Sequence, residues 1–337
     1  MFFFFWGLGV TMRRREFIAL LGGAAAWPVT GRAQQRAMPV VGYLSSAHPD
    51  RDAGRLRGFR QGLAEAGFVE GQNVVIEYRW AEERFERIPE LAADLVRRQV
   101  ALIVTAGHVR GVQAAKAATS TIPIVFLTGS DPVATGLVAS LNRPGANLTG
   151  VATLSIEMEP KRLELLHEVV PKAASFGTLI NPANPNAARQ AGDLEAAART
   201  MGVQIHTVKI SAEKEFVAAF AALERLKVGG LVIATDGIFI SQSEQLAALA
   251  MRHAMPAVFQ FRPFAAAGGL MSYGGSLTEL YRQSGLYAAR ILKGEKAADL
   301  PVQQVTRVEL IINLKSAQAL GLTVPLPLIG RADEVIE

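Results

Sequence analysis

The most constraining feature of this sequence is a repeated alternation of short β-rich runs with longer helical segments. Runs rich in valine, isoleucine and leucine, at 40–44 and 102–104, alternate with segments of helical periodicity such as 54–66 and 85–98. Parallel strands need a crossover connection of a dozen or more residues, and a helix usually supplies it. The alternation therefore predicts an α/β fold with parallel sheets and helices on both faces.

The alternation occurs twice along the chain. A first round ends with the run at 124–127, and a second round begins after 149–151 and includes runs at 176–180 and 231–234. A chain of 337 residues suits two lobes of roughly 150 residues each better than one core. We therefore expect two Rossmann-like lobes, each built on its own parallel sheet and joined by a hinge.

The segment 268–275 is a candidate hinge. It carries glycines at both ends and extended residues between them, which suits a chain crossing from one lobe to the other. A helix at 277–292 and a strand at 307–313 follow it, so the chain can return to the first lobe and then to the second. We expect lobe 1 to comprise 38–153 and 271–300, and lobe 2 to comprise 154–270 and 301–337.

Residues 1–33 have the pattern of a signal peptide. Three arginines at 13–15 precede Glu16, Phe17 and Ile18 in a twin-arginine pattern, an apolar stretch follows at 19–29, and small residues at 31 and 33 suit cleavage. Met12 directly precedes the arginines, so we expect translation to start there. A retained membrane anchor is the alternative, although the apolar stretch is shorter than the ~20 residues that span a bilayer.

The composition excludes several kinds of site. The chain has no cysteine, which excludes disulfides, thiolate metal sites and cysteine nucleophiles. Its five histidines lack the spacing of metal ligands, and the glycine-rich and nucleophile-elbow motifs of nucleotide-binding and hydrolytic enzymes are missing. Residues 1–33 hold four arginines and one glutamate, so their removal lowers the net charge from +5 to +2. We expect no metal, no cofactor, no nucleic-acid partner and no enzymatic activity.

Candidate ligand-binding residues lie in the turns that follow the predicted strands. In open parallel sheets a ligand binds beyond the carboxyl ends of the strands, where the free N–H groups of helix N-termini favour an anion. Each of six such turns carries a small hydroxyl, amide or carboxylate side chain. Together with two nearby aromatic residues, the candidates are Ser45, Ser46, Thr105, Ala106, Gly107, Ser130, Asp131, Asn181, Asn184, Asp236, Phe261 and Tyr273.

Several of these residues have a second interpretation that the sequence leaves open. Asp131 can simply cap a helix. Asp236 can pair with a ligand ammonium group, or it can cap the helix that is expected to begin near Ser241. Phe261 and Tyr273 can stack on an aromatic ligand, or they can pack in the core or the hinge.

An ordered series of short motifs makes the chain resemble a known family closely. The motifs include Glu-Gly-Gln-Asn at 70–73, Glu-Tyr-Arg-Trp-Ala at 77–81, Asn-Pro-Ala-Asn-Pro at 181–185 and Ala-Asp-Glu-Val-Ile-Glu at 332–337. On these motifs the chain is similar to the ABC-transporter substrate-binding family, whose better-characterised members take up tryptophan or related aromatic amino acids. Ala146 departs from the family pattern, because glycine is usual at that position.

The resemblance implies a type I periplasmic binding protein fold, export to the periplasm, and delivery of a small-molecule ligand to an ABC permease in the inner membrane. A periplasmic receptor that serves a chemoreceptor or kinase is the alternative function. The polar turns favour a small carboxylate as the ligand, with an aromatic amino acid or aromatic acid as the candidate. We expect a monomer exported by the twin-arginine route. Arg55, Arg57 and Arg60 are expected on a solvated helix face that is available to the importer.

Overall fold

The computed structural model describes residues 38–107, 109–305 and 307–337, with only the backbone of Arg51. The signal peptide predicted at 1–33 and the start predicted at Met12 lie outside the described residues. In the part of the chain that is described, no helix is both long enough and apolar enough to cross a membrane.

The first sheet of the described chain has six strands in the order β11-β5-β4-β3-β1-β2, and every pairing in it is parallel. Its strands are β1 Val40–Ser45, β2 Val75–Trp80, β3 Leu102–Ala106, β4 Ile124–Thr128, β5 Leu148–Ala152 and β11 Gln303–Gln304. The helices packed around it are α1 Pro49–Glu65, α2 Ile88–Arg97, α3 Val109–Ala118 and α10 Leu277–Leu292, with 3-10 turns at Phe85–Arg87 and Ala297–Asp299.

The second sheet has seven strands in the order β13-β12-β10-β9-β8-β6-β7, and β10 and β12 are antiparallel. Its strands are β6 Ser175–Ile180, β7 Gln204–Lys209, β8 Leu231–Ile233, β9 Ala257–Phe259, β10 Met271–Gly275, β12 Val308–Asn313 and β13 Glu334–Ile336. Its helices are α4 Glu159–Val169, α5 Ala187–Met201, α6 Phe216–Arg225, α7 Gly237–Ser241, α8 Ser243–Arg252, α9 Arg262–Ala266, α11 Leu314–Ala319 and α12 Leu326–Ile329, with a 3-10 turn at Glu213–Glu215.

Each sheet has an apolar core on both of its faces. In β1, Val41 and Tyr43 point into one cluster and Leu44 points into another, because successive side chains of a strand lie on opposite faces. In β8, Leu231 and Ile233 likewise lie in a different cluster from Val232. Strands buried on both faces read as continuous apolar runs, which is why the sequence shows runs rather than alternation there. The predicted α/β architecture is confirmed, with two mainly parallel sheets.

The chain crosses between the sheets three times, after β5, after β10 and after β11. The boundaries predicted from the sequence need correction at two strands. The first is β10, which was expected to open the return to lobe 1 but pairs with β9 and β12 in the second sheet. Gly274 lies so close to the carbonyl of Gln260 that a side chain has no room there, so this glycine serves close packing. The second is β11, which lies beyond the predicted end of lobe 1 and pairs with β5.

Candidate functional site

A cavity lies where the carboxyl ends of the two sheets meet. Its empty volume is about 690 Å³, including the solvent space that opens from it. From the first-sheet side it is lined by Arg55, Gly107, Val109, Leu127, Thr128, Gly129, Ser130, Thr153, Leu277, Leu280 and Tyr281, and beyond β5 by Ile156. From the second-sheet side it is lined by Asn184, Asn186, Thr235, Asp236, Gly237, Ile240, Gln260 and Phe261.

The cation on the first-sheet wall is Arg55. Its guanidinium Nη1 donates to Asp52 Oδ1 at 2.9 Å, and only 6% of Arg55 is exposed. The other oxygen of Asp52 accepts hydrogen bonds from the Tyr43 hydroxyl at 3.0 Å and from Ser45 Oγ at 3.1 Å. The buried carboxylate is therefore compensated, and it holds the guanidinium at the cavity wall.

The expectation that Arg55 lies on a solvated face is wrong. Asp52, Leu56, Phe59 and Leu63 are buried along α1 at the spacing of one helical face, and Arg55 lies at the edge of that face. The signal in the sequence was an acidic residue, Asp52, at a position where the apolar periodicity calls for a hydrophobic one. A buried acid needs a partner, and the arginine three residues later lies on the same side of the helix.

A second residue that sequence reasoning missed is Tyr281 on α10. It lines the cavity beside Arg55, and burial raises the pKa of its hydroxyl, so that it stays protonated and can donate a hydrogen bond. Tyr281 lies more than two hundred residues from α1 in the sequence. No local pattern links the two helices, which pack closely in the structure.

The acid on the second-sheet wall is Asp236, at the end of β8. Asn181 Nδ2 donates to its Oδ1 at 3.1 Å and Asn184 Nδ2 donates to its Oδ2 at 2.8 Å. The amide N–H of Ile238 also donates to Asp236 Oδ1, at 2.9 Å, so that Asp236 is the N-cap of α7. The helix cap is thus present, and Asp236 lines the cavity as well. Both interpretations of this residue therefore remain compatible with its position.

Behind this wall lies a buried acid, Glu159, at the start of α4. Its Oε1 accepts hydrogen bonds from the Thr235 amide at 2.7 Å and from Gln190 Nε2 at 2.9 Å. Burial raises the pKa of the Glu159 carboxyl to about 7, although the positive charge of Arg162 and these hydrogen bonds act in the other direction. Burial likewise lowers the pKa of the Arg162 guanidinium to about 10. Arg162 donates to the Tyr273 carbonyl at 2.8 Å and to Thr235 Oγ1 at 3.4 Å.

The structure brings five of the twelve predicted residues to the cavity wall, namely Gly107, Ser130, Asn184, Asp236 and Phe261. Five more are buried in the strand ends and turns of the two sheets, namely Ser45, Ser46, Thr105, Ala106 and Asn181.

Two predicted residues lie in other surroundings. Asp131 accepts hydrogen bonds from the amides of Val133 at 2.8 Å and Ala134 at 3.2 Å, which is a capping role. The ring of Tyr273 packs against the core of the second sheet. Neither is among the residues that line the cavity.

Within residues 38–107, 109–305 and 307–337, no group of three histidine, cysteine or acidic side chains is placed to hold a metal ion.

Contacts between the two sheets cross the cleft beside the cavity. Gly129 follows β4 and faces Thr235, so that a Cβ added to it would lie 3.0 Å from Thr235 Cγ2. Nearby, Arg110 Nη2 on α3 donates to the carbonyl of Ala183 at 3.3 Å. These approaches place the two walls in a closed arrangement.

Two mainly parallel sheets that enclose a cavity at their carboxyl ends define a ligand-binding protein of the type I periplasmic binding fold. The chain belongs to the family of ABC transporter substrate binding proteins, which matches residues 43–336. Members of this family are typically exported. The relatives described next are solute-binding proteins rather than enzymes.

Among the relatives is the tyrosine-binding protein of Clostridioides difficile (strain R20291). It is 29% identical over 276 residues, which cover 82% of this chain and 78% of that protein. An ABC domain from Streptococcus pneumonia in complex with L-Trp is 25% identical, with a TM-score of 0.79 over 89% of this chain and 100% of that one. A ligand-free, open substrate binding protein with adhesive properties from Clostridium difficile is 27% identical. Its TM-score is 0.63 over 88% of this chain and 99% of that one. The present structure is thus more similar to the complex than to the open form.

Proposed function

We propose that this protein is the substrate-binding component of an ABC importer, exported to the periplasm by the twin-arginine route. It captures a small organic carboxylate, with an aromatic amino acid as the first candidate, and delivers it to the permease as a monomer. It acts by binding and closure and performs no chemical reaction on the ligand.

The observation that carries this proposal is the pairing of opposite charges on the two walls of one cavity. Arg55 comes from the first-sheet side and suits a carboxylate, and Asp236 comes from the second-sheet side and suits an ammonium group. Between them the lining is largely apolar, with Leu127, Ile156 and Phe261 among its residues. An amino acid with a flat apolar side chain matches this distribution. The L-Trp complex of one relative and the name of the tyrosine-binding relative support the same class.

Closure follows from the position of the lining residues. A ligand in the cavity touches both walls only when the sheets approach each other, so it stabilises the closed state by its extra contacts there. The chain crossings after β5, β10 and β11 are the segments that carry this movement.

A binding screen tests the proposal. Thermal shift and calorimetry of the purified protein are measured with L-tyrosine, L-tryptophan, aromatic acids and neutral sugars. We expect stabilisation by at least one aromatic amino acid or aromatic acid and none by the sugars. Stabilisation by a sugar alone, with every carboxylate inactive, would contradict the proposed ligand class.

A further inference from the structure

We propose that Glu83 is a positioning residue that holds the closed state of the cleft without touching the ligand. Glu83 lies in the loop between β2 and the turn Phe85–Arg87 and is not among the residues that line the cavity. Its carboxylate reaches the opposite sheet. Ser241 Oγ donates to Glu83 Oε1 at 3.0 Å, and Gln242 Nε2 donates to the same oxygen at 3.4 Å.

The loop that carries Glu83 is fixed to the first sheet in an unusual conformation. Glu82 and Glu83 have φ angles of 54° and 63°, which is the left-handed region that side-chain-bearing residues rarely adopt. The amide of Glu83 donates to the carbonyl of Ser46 at 2.8 Å, and the amide of Ala81 donates to that of Ser45 at 2.8 Å. The left-handed pair is therefore held at the end of β1, and it aims the Glu83 carboxylate across the cleft.

The partners of Glu83 belong to a segment that also lines the cavity. The helix α7 begins after Asp236, carries Ile240 on the cavity wall, and ends at Ser241, which contacts Glu83. Gln242 follows, and its Nε2 also donates to Glu213 Oε2 at 2.6 Å, which fixes the amide on the second-sheet side. A ligand that draws α7 toward the first sheet thus also brings Ser241 and Gln242 to Glu83.

This geometry gives Glu83 a distinct energetic role. Because its hydrogen bonds to Ser241 and Gln242 form only when the cleft is closed, they raise the closed fraction and lower the apparent dissociation constant of every ligand by the same factor. Loss of charge-assisted hydrogen bonds of this kind corresponds to about 10-fold in affinity. A residue that touches the ligand would instead change the order of preference among ligands.

The test uses Glu83→Ala, with Glu83→Gln keeping the acceptor oxygen and Glu86→Ala as a control on an exposed residue of the adjacent turn. Affinities for L-tryptophan and L-tyrosine are measured by calorimetry, and melting temperatures confirm folding. The chain has no cysteine, so spin labels at Gln113→Cys and Arg225→Cys report the distance between the two halves without further changes.

We expect Glu83→Ala to weaken both ligands by about 10-fold and to move the label distances toward the open form. Glu83→Gln should recover most of this loss, and Glu86→Ala should behave as the wild type. An unchanged affinity and distance distribution in Glu83→Ala would overturn the inference, as would a loss confined to one ligand. The affinity measurement rests on the proposed function, whereas the distances of the ligand-free variants do not. Absence of binding by the wild type would therefore count against the proposed function alone.

Discussion

The two walls of the cleft are each supported by a buried acid and an arginine three residues later, but the two pairs are built differently. On the first-sheet side Asp52 and Arg55 of α1 form a direct ion pair at 2.9 Å. On the second-sheet side Glu159 of α4 is bound by the amide of Thr235 and by Gln190, while Arg162 donates to the carbonyl of Tyr273.

The difference shows how a similar local pattern can serve two purposes. Asp52 contacts Arg55 directly, so it holds the Arg55 guanidinium at the cavity wall as a fixed positive charge. Glu159 lacks such close compensation, and burial raises its pKa to about 7, within the range in which it can gain a proton. The first pair places a positive charge at the cavity wall, whereas the second positions the backbone of Thr235 from behind the other wall.

The largest effect is expected for Arg55→Gln, which removes the cation and leaves the buried Asp52 without a paired charge, held only by its hydrogen bonds from Tyr43 and Ser45. We expect a loss of about 3–5 kcal/mol in the free energy of unfolding, measured by urea denaturation. Affinity for a carboxylate ligand should fall by roughly 10- to 100-fold in calorimetry. The exposed Arg57→Gln is the matched control on the same helix.

The double variant Asp52→Asn with Arg55→Gln separates the two roles of the pair. It removes both charges, so stability should largely return while binding stays weak. Recovery of binding together with stability would show that Arg55 acts only by neutralising Asp52.

Glu159→Gln tests whether the second pair is titratable. A folded-state pKa of about 7, above the ordinary 4.5, means that the folded protein binds the proton more tightly. The contribution of the protonated Glu159 carboxyl to the free energy of unfolding is complete below pH 4.5 and is lost as the pH rises to about 7. The stability of the wild type relative to Glu159→Gln should therefore fall by roughly 3 kcal/mol over this window. If the stabilities of the wild type and of Glu159→Gln changed in parallel with pH, the raised pKa of Glu159 would be contradicted.

Gly129→Ala tests how closely the two walls must approach. The added Cβ would lie 3.0 Å from Thr235 Cγ2, so the closed state becomes overpacked while an open state is unaffected. We expect affinity to fall by about 10-fold with an unchanged melting temperature of the ligand-free protein. Thr235→Ser removes the opposing methyl group and keeps the hydroxyl, so adding it to Gly129→Ala should restore binding. Failure of this rescue would locate the clash elsewhere.

Asp236→Asn should have the smallest effect and tests the charge of the second wall. Asparagine keeps one acceptor oxygen for the amide of Ile238 and still caps a helix, so α7 should persist, while the hydrogen bond from Asn184 is lost. Calorimetry with an aromatic amino acid should show that the affinity of Asp236→Asn is about 5-fold lower than that of the wild type. The same acid without its amino group should bind equally to the wild type and to the variant. Asp131→Asn is the control, because Asp131 caps its own turn away from the cavity lining. Equal losses for both ligands would mean that Asp236 acts through α7 rather than through an ammonium group.

Local pattern determined much of this protein. The apolar runs identified most strands of both sheets, and the rule that ligands bind beyond strand ends singled out Gly107, Ser130 and Asn184, which line the cavity. Such inferences are possible because side-chain periodicity and strand-end position are properties of short segments.

Tertiary structure alone decided the rest. Arg55 and Tyr281 meet at one wall although their helices are far apart in the sequence, and β10 joins the second sheet through its pairing with β9 and β12. The cross-cleft contact between Glu83 and Ser241 likewise joins distant segments. Which helix packs on which sheet, and which loops meet across a cleft, depends on the burial of apolar surface between remote elements, and no short window of sequence contains that information.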